Sequence, residues 1–175
     1  MKRLGLLRHA KSDWDDMSLR DFDRGLNKRG RKGARLMGDH IRESGGKFDL
    51  AVASPAERVK RTLEASGLEL PVQFEETAYL GDPSTLVGLL RAVEGDPGAI
   101  LLAAHNPGLQ ELALTLVPPD GEDALFDEVM QKYPTAAYAV FELAIESWSD
   151  LEPGCGRLVH FARPRDLDPE LGPQG

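Results

Sequence analysis

The sequence predicts an α/β protein, a three-layer α/β/α sandwich around a mostly parallel sheet with one antiparallel edge strand. Two observations carry this reading. Short apolar runs closed by polar residues recur without the alternation of a half-exposed strand, the pattern of strands covered on both faces. Between them lie segments with apolar residues three and four apart, the spacing of helices that bury one side.

Taken in order, Leu4-Gly5-Leu6-Leu7, closed by Arg8-His9, reads as the first buried strand. Asn27 can cap a helix over about 28–44, with Gly33, Met37 and Ile41 inside, Arg31, Lys32, Arg35 and Arg42 mostly outside, and Gly45-Gly46 ending it. Leu50-Ala51-Val52-Ala53, closed by Ser54-Pro55, is the second strand. Ser54 as N-cap, Pro55 at the first helical position and Glu57 three residues after the cap read as a capping box opening the next helix. A third helix covers roughly 83–93, and a third strand, 99–104, is closed by His105-Asn106-Pro107. The fourth helix follows, with Leu109, Leu112, Ala113 and Leu116 facing inward. Residues 117–134, with Pro118-Pro119 and Asp120-Gly121, read as a surface excursion. Two more strands follow at 136–143 and 156–161, the first partly alternating and placed as the antiparallel edge. Residues 1–163 are read as one domain and 164–175 as a loosely held tail.

Charge is unevenly distributed along the chain. The 175 residues carry a net charge of −8, which argues against a general nucleic-acid binder. Residues 1–61, however, hold 16 basic and 9 acidic side chains, and the remainder holds 5 and 20. The first third is therefore expected to face an anion. Cys155, the sole cysteine, is read as a turn residue; it excludes an intramolecular disulfide and a cysteine-cluster metal site, and a cytoplasmic setting is the default expectation. No apolar run approaches a membrane span and no signal peptide is read at the start, so no membrane partner is expected.

In open parallel sheets the ligand site lies at the carboxyl ends of the strands. Three strands end there in His9, Ser54 and His105, and if they are neighbours, two imidazoles, Arg8 and the helix turn bearing Arg58 converge. Two guanidinium forks and a neutral imidazole suit a phosphoryl group: the forks grip its oxygens while a nitrogen lone pair faces phosphorus. No Walker A loop or HExxH motif is present, and no metal or cofactor is called for. His40 and His160 are read as structural, neither having a second ligand at metal spacing. The basic face of Arg31, Lys32 and Arg35 is read as a solvated helix face that can also steer an acidic phosphoprotein.

Several of these segments resemble a known family. Leu7-Arg8-His9-Ala10-Lys11-Ser12 followed by Trp14 resembles the Arg-His-Gly signature of the histidine phosphatase, or phosphoglycerate-mutase-like, superfamily. Ser54-Pro55-Ala56-Glu57-Arg58 with Thr62 resembles its second motif, Ala104-His105-Asn106-Pro107 its third, and Arg24-Gly25-Leu26-Asn27-Lys28-Arg29-Gly30 the opening of its first long helix. The resemblance implies that His9 is the nucleophile and that Arg8, Arg58 and His105 form the phosphate pocket. It further implies a proton donor after the second helix, for which Glu75 and Glu76 are candidates and Glu76 is preferred, with water as an alternative. Arg24 is expected at the pocket mouth with a substrate role. Ala10 stands where the family usually has Gly, a substitution associated with the compact SixA-type phosphohistidine phosphatases. The expected reaction is hydrolysis of a phosphoryl group, taken most naturally from phosphohistidine on a protein such as a histidine-phosphorylated signalling domain. A small-molecule phosphatase or mutase and a non-catalytic phosphate-binding module are the alternatives. Activity is expected to fall well below pH ~6.5 unless the pocket shifts His9.

Overall fold

In the computed structural model, which describes residues 1–172, six strands form one sheet. They are β1 (Lys2–Arg8), β2 (Leu50–Ala53), β3 (Val72–Phe74), β4 (Ala99–Ala104), β5 (Tyr138–Leu143) and β6 (Gly156–Ala162), in the spatial order β3-β2-β4-β1-β5-β6. Strands β3, β2, β4 and β1 run parallel to one another, β5 pairs antiparallel with β1, and β6 antiparallel with β5. The antiparallel part is thus an edge pair, with β5 inside the sheet and β6 at its rim. β3, which the sequence reading passes over, forms the opposite rim; its three residues are too few to display a period.

Alternate strand residues feed opposite faces. Leu4, Leu6, Ile100 and Leu102 pack in one core with helices α3 (Pro83–Arg91), α4 (Gly108–Leu116) and α5 (Ala124–Gln131). Leu7, Ala51, Ala53 and Leu101 pack in the other with α1 (Lys28–Glu43) and α2 (Glu57–Ser66). Helices on both faces bury most of β1, β2 and β4, which is why their runs are almost continuously apolar. Asn27 caps α1 by accepting from the Gly30 N–H at 2.7 Å, and Met37 and Ile41 lie in the core beneath it. Each such burial contributes roughly 1.5–3 kcal/mol. A Cβ on Gly38 would stand 1.9 Å from the Ser66 carbonyl oxygen, so the contact between α1 and α2 requires glycine there.

Two expectations are revised. The excursion at 117–134 contains α5, capped by Asp123 and holding Phe126 and Val129 in the core, and it ends in a buried Tyr133 whose hydroxyl donates to the Leu6 carbonyl at 2.6 Å. The tail carries a short helix, α6 (Pro164–Leu167), packed against α1; Asp168 pairs with Lys32 at 3.0 Å, and the Gly172 carbonyl accepts from Arg29. Residues 173–175 of that expected tail lie outside the described residues. His40 and His160, read as structural, meet Nε2 to Nε2 at 2.8 Å across α1 and β6, with stacked rings. Among the described residues, no helix is long and apolar enough to cross a membrane.

Candidate active site

The order β2-β4-β1 sets three carboxyl ends side by side. Arg8 lies opposite Ala104 and Ala53 opposite Ala103, so His9, Ser54 and His105 leave the sheet at one level. Backbone bonds hold them there: the His9 N–H donates to Ala104 and the Ser54 N–H to Ala103. The His9 and His105 rings stand 5.2 Å apart, centroid to centroid. From the first turn of α2, Arg58 reaches back, placing Nη2 3.2 Å from His105 Nδ1. The sequence-predicted set Arg8, His9, Arg58 and His105 is therefore brought to one edge of the sheet.

Hydrogen-bond polarity fixes which ring nitrogens are free. The Ala10 carbonyl, 2.8 Å from His9 Nδ1, can only accept, so Nδ1 carries the proton and Nε2 keeps its lone pair. A guanidinium can only donate, so His105 Nδ1 is the bare nitrogen, and its Nε2–H donates to Ser54 Oγ at 2.8 Å. This explains a failed expectation. The capping box does not form: α2 begins at Glu57 with Ala56 at its N-cap, while Ser54 Oγ accepts from His105 and from the Ala56 N–H. Glu57 pairs instead with Arg61 at 2.7 Å. Thr62 ties two motifs together, its Oγ1 accepting from the Ala10 N–H at 2.8 Å and donating to the Arg58 carbonyl at 2.7 Å.

Burial and charge hold both imidazoles neutral. Burial, aided by Arg8 and Arg58 and opposed by the Ala10 carbonyl, lowers the His9 pKa to about 4. Burial followed by the neighbouring His9 and Arg58 lowers that of His105 to about 3. Burial and then Arg58 also depress the Arg8 value. Arg8 Nη1 donates to the Tyr133 carbonyl at 3.1 Å, and its Nε is buried without a partner among the described residues. The same Tyr133 carbonyl accepts from Asn106 Nδ2 at 2.9 Å.

Asp21 was not singled out by the sequence reading. Its backbone carbonyl accepts from Arg58 Nη1 at 2.8 Å, and its carboxylate accepts from Arg58 Nη2 at 3.0 Å and from the Tyr79 hydroxyl at 2.5 Å. Partial burial opposes ionisation, yet the bonds from Tyr79 and Arg58 prevail and hold its pKa below the usual carboxylate value. Nothing in the sequence marks it, because an acid in a polar loop is ordinary; only the fold carries it to Arg58. Tyr79 also sets its ring edge-on to His105 at 5.4 Å.

The remaining predicted residues are placed differently. Arg24 is buried, its Nη atoms donating to the Asp16 and Leu19 carbonyls at 2.9 Å each and its guanidinium lying 4.0 Å over the Trp14 ring. It shapes the 13–20 loop instead of presenting a free fork. Glu75 is half-buried and accepts from Gln73 at 2.8 Å; Glu76 is exposed and opens the 3-10 turn that leads to Tyr79. Neither carboxylate bonds to Arg8, His9, Arg58 or His105 among the described residues.

Comparison with known proteins finds similarity to one family. Residues 4–82 match the model of the histidine phosphatase superfamily (branch 1). An uncharacterized protein of Mycobacterium tuberculosis is 35% identical over 160 residues, 91% of this chain and 100% of the relative. Two solved structures assigned as the phosphohistidine phosphatase SixA are similar throughout. The one from Nakamurella multipartitia has a TM-score of 0.83 at 26% identity, covering 93% of this chain and 96% of its own. The one from Agrobacterium tumefaciens has 0.77 at 28%, covering 93% and 98%.

Proposed function

The chain belongs to the histidine phosphatase superfamily, in its SixA-type branch, and on that premise we propose that it removes the phosphoryl group from phosphohistidine on a protein through a covalent intermediate on His9. The observation that carries this reading is the Ala10 carbonyl on His9 Nδ1, which leaves the Nε2 lone pair in the cluster of Arg8, Arg58 and His105. Names given to the two similar structures support the substrate class.

His9 Nε2 attacks phosphorus in line, forming the N–P bond as the bond to the leaving imidazole breaks. The departing nitrogen takes its proton from Glu76 or from water. A phosphoimidazole leaving group demands less of a general acid than an alkoxide does, which suits the exposed position of Glu76. Water then attacks the phosphorus of phospho-His9, and His9 leaves with its electron pair restored as inorganic phosphate departs. Charge on the transferred group is met by Arg8 and Arg58, so catalysis is positioning and electrostatics without a metal ion.

The test is to incubate the protein with a protein labelled with phosphate on histidine. Acid-labile, alkali-stable label on His9, absent in His9→Ala together with phosphate release, is the expected outcome. A fully active His9→Ala protein excludes the mechanism, and faster turnover of phosphoglycerate or sugar phosphates than of phosphohistidine protein moves the reading to a small-molecule phosphatase or mutase. Phosphate binding without turnover of any of these would leave a recognition module.

A further inference from the structure

Beside the imidazole cluster, a cleft of about 310 Å³ opens between the end of β1, the start of α1, the segment after α5 and α6. Its lining includes Arg8, Lys11, Arg29, Lys132 and Arg165, and no aspartate or glutamate. Among the described residues none of these five has a carboxylate within ion-pair distance. In a chain of net charge −8 this is a concentrated positive surface. The cleft is physically joined to the site: Arg8 belongs to both, Ala10 follows His9, and the Ala136 N–H in the cleft wall donates to the His9 carbonyl at 2.9 Å.

We propose that this cleft is a docking subsite for acidic side chains that flank the phosphoryl group on the protein substrate. The inference rests on the phosphatase reading above and narrows its substrate class. Cations that come from four separate segments and share the cleft with the apolar Pro134, Ala136 and Pro164 suit several spaced carboxylates on aliphatic stems. A second phosphate would call instead for N–H groups convergent on one point. Lys11 and Lys132 are exposed and Arg165 half-buried, so their charges can be removed without disturbing either core.

The test compares the protein with the triple variant K11Q/K132Q/R165Q on phosphohistidine peptides flanked by Asp and Glu or by Asn and Gln. The wild type is expected to show a KM about tenfold lower for the acidic peptide at unchanged kcat, a preference that fades with added salt and is lost in the variant. Both proteins should hydrolyse phosphoramidate alike. Calorimetric binding of the unphosphorylated acidic peptide gives a readout independent of turnover. Binding to the wild type and not the variant, without phosphate release from any substrate, refutes the phosphatase reading and keeps the docking subsite. Equal binding to both proteins, or to neither, overturns the subsite whatever the activity. A charge-dependent KM seen only with bisphosphorylated small molecules overturns it as well.

Discussion

Arg58 Nη2 donates to His105 Nδ1 at 3.2 Å, a contact that exists only while His105 is neutral. Both ring nitrogens of His105 are thereby engaged, one by Arg58 and the other by Ser54. To donate to a phosphate oxygen as well, His105 must take up a proton or exchange tautomers.

Protonation of His105 on binding inorganic phosphate near pH 6 is expected to draw protons from the medium, whereas tautomer exchange would draw none. Calorimetry in buffers of different ionisation enthalpy counts the protons exchanged; the phosphate's own titration enters alike in the wild type and in His105→Gln, so the wild type should take up more protons than the variant. Equal proton exchange in the two proteins would show that His105 stays neutral in the complex.

The acid limb of kcat/KM should lie near pH 4, far below the ~6.5 of a free imidazole, because His9 must be unprotonated to attack and its pKa is lowered to about 4. Stability follows the same sign. Between about 6.5 and 4 the unfolded chain binds protons that the folded one refuses at His9 and His105, so stability is full above pH ~6.5 and falls as pH drops. A pH–rate profile and urea unfolding at several pH values check the two; an inflection at 6.5 in the rate would contradict the neutral His9.

Asp21→Asn keeps an oxygen for Tyr79 and Arg58 but removes the charge that competes with phosphate for the Arg58 fork. Inorganic phosphate should then inhibit about threefold more strongly, a modest effect because the Asp21 side chain is 45% exposed. Inhibition weaker than in the wild type would mean that Asp21 serves chiefly to position Arg58.

Ser54→Ala leaves the His105 Nε2–H and the Ala56 N–H without their acceptor in a fully buried place. A loss of about 1–3 kcal/mol in unfolding free energy is expected, with a fall in kcat/KM. Ser54→Thr, which retains the hydroxyl, should recover much of the rate if Ser54 acts by orienting His105.

How much of this was legible in the sequence depended on the range of the interaction. Arg8, His9, Arg58 and His105 were readable because each follows a buried strand or opens the helix after one, and the parallel order collects such positions at one edge. Ser54 was seen, but its hydroxyl was assigned to the local cap; a partner 51 residues away, His105, took it instead. Asp21 and the pairing of His40 with His160 were illegible for the same reason, since both are contacts between distant segments with no periodic signature.

Tyr133 also constrains how this fold can change over evolution. Its hydroxyl is bonded to β1, and its carbonyl holds both Arg8 and Asn106, so the residue works as a fixed pin where the chain returns to the sheet. A one-residue insertion or deletion between α5 and Tyr133 would withdraw that carbonyl from an arginine of the pocket. The exposed residues 119–123, upstream of the pin, make no such bond to the pocket, so lineages that add or lose residues in this region are expected to do so there.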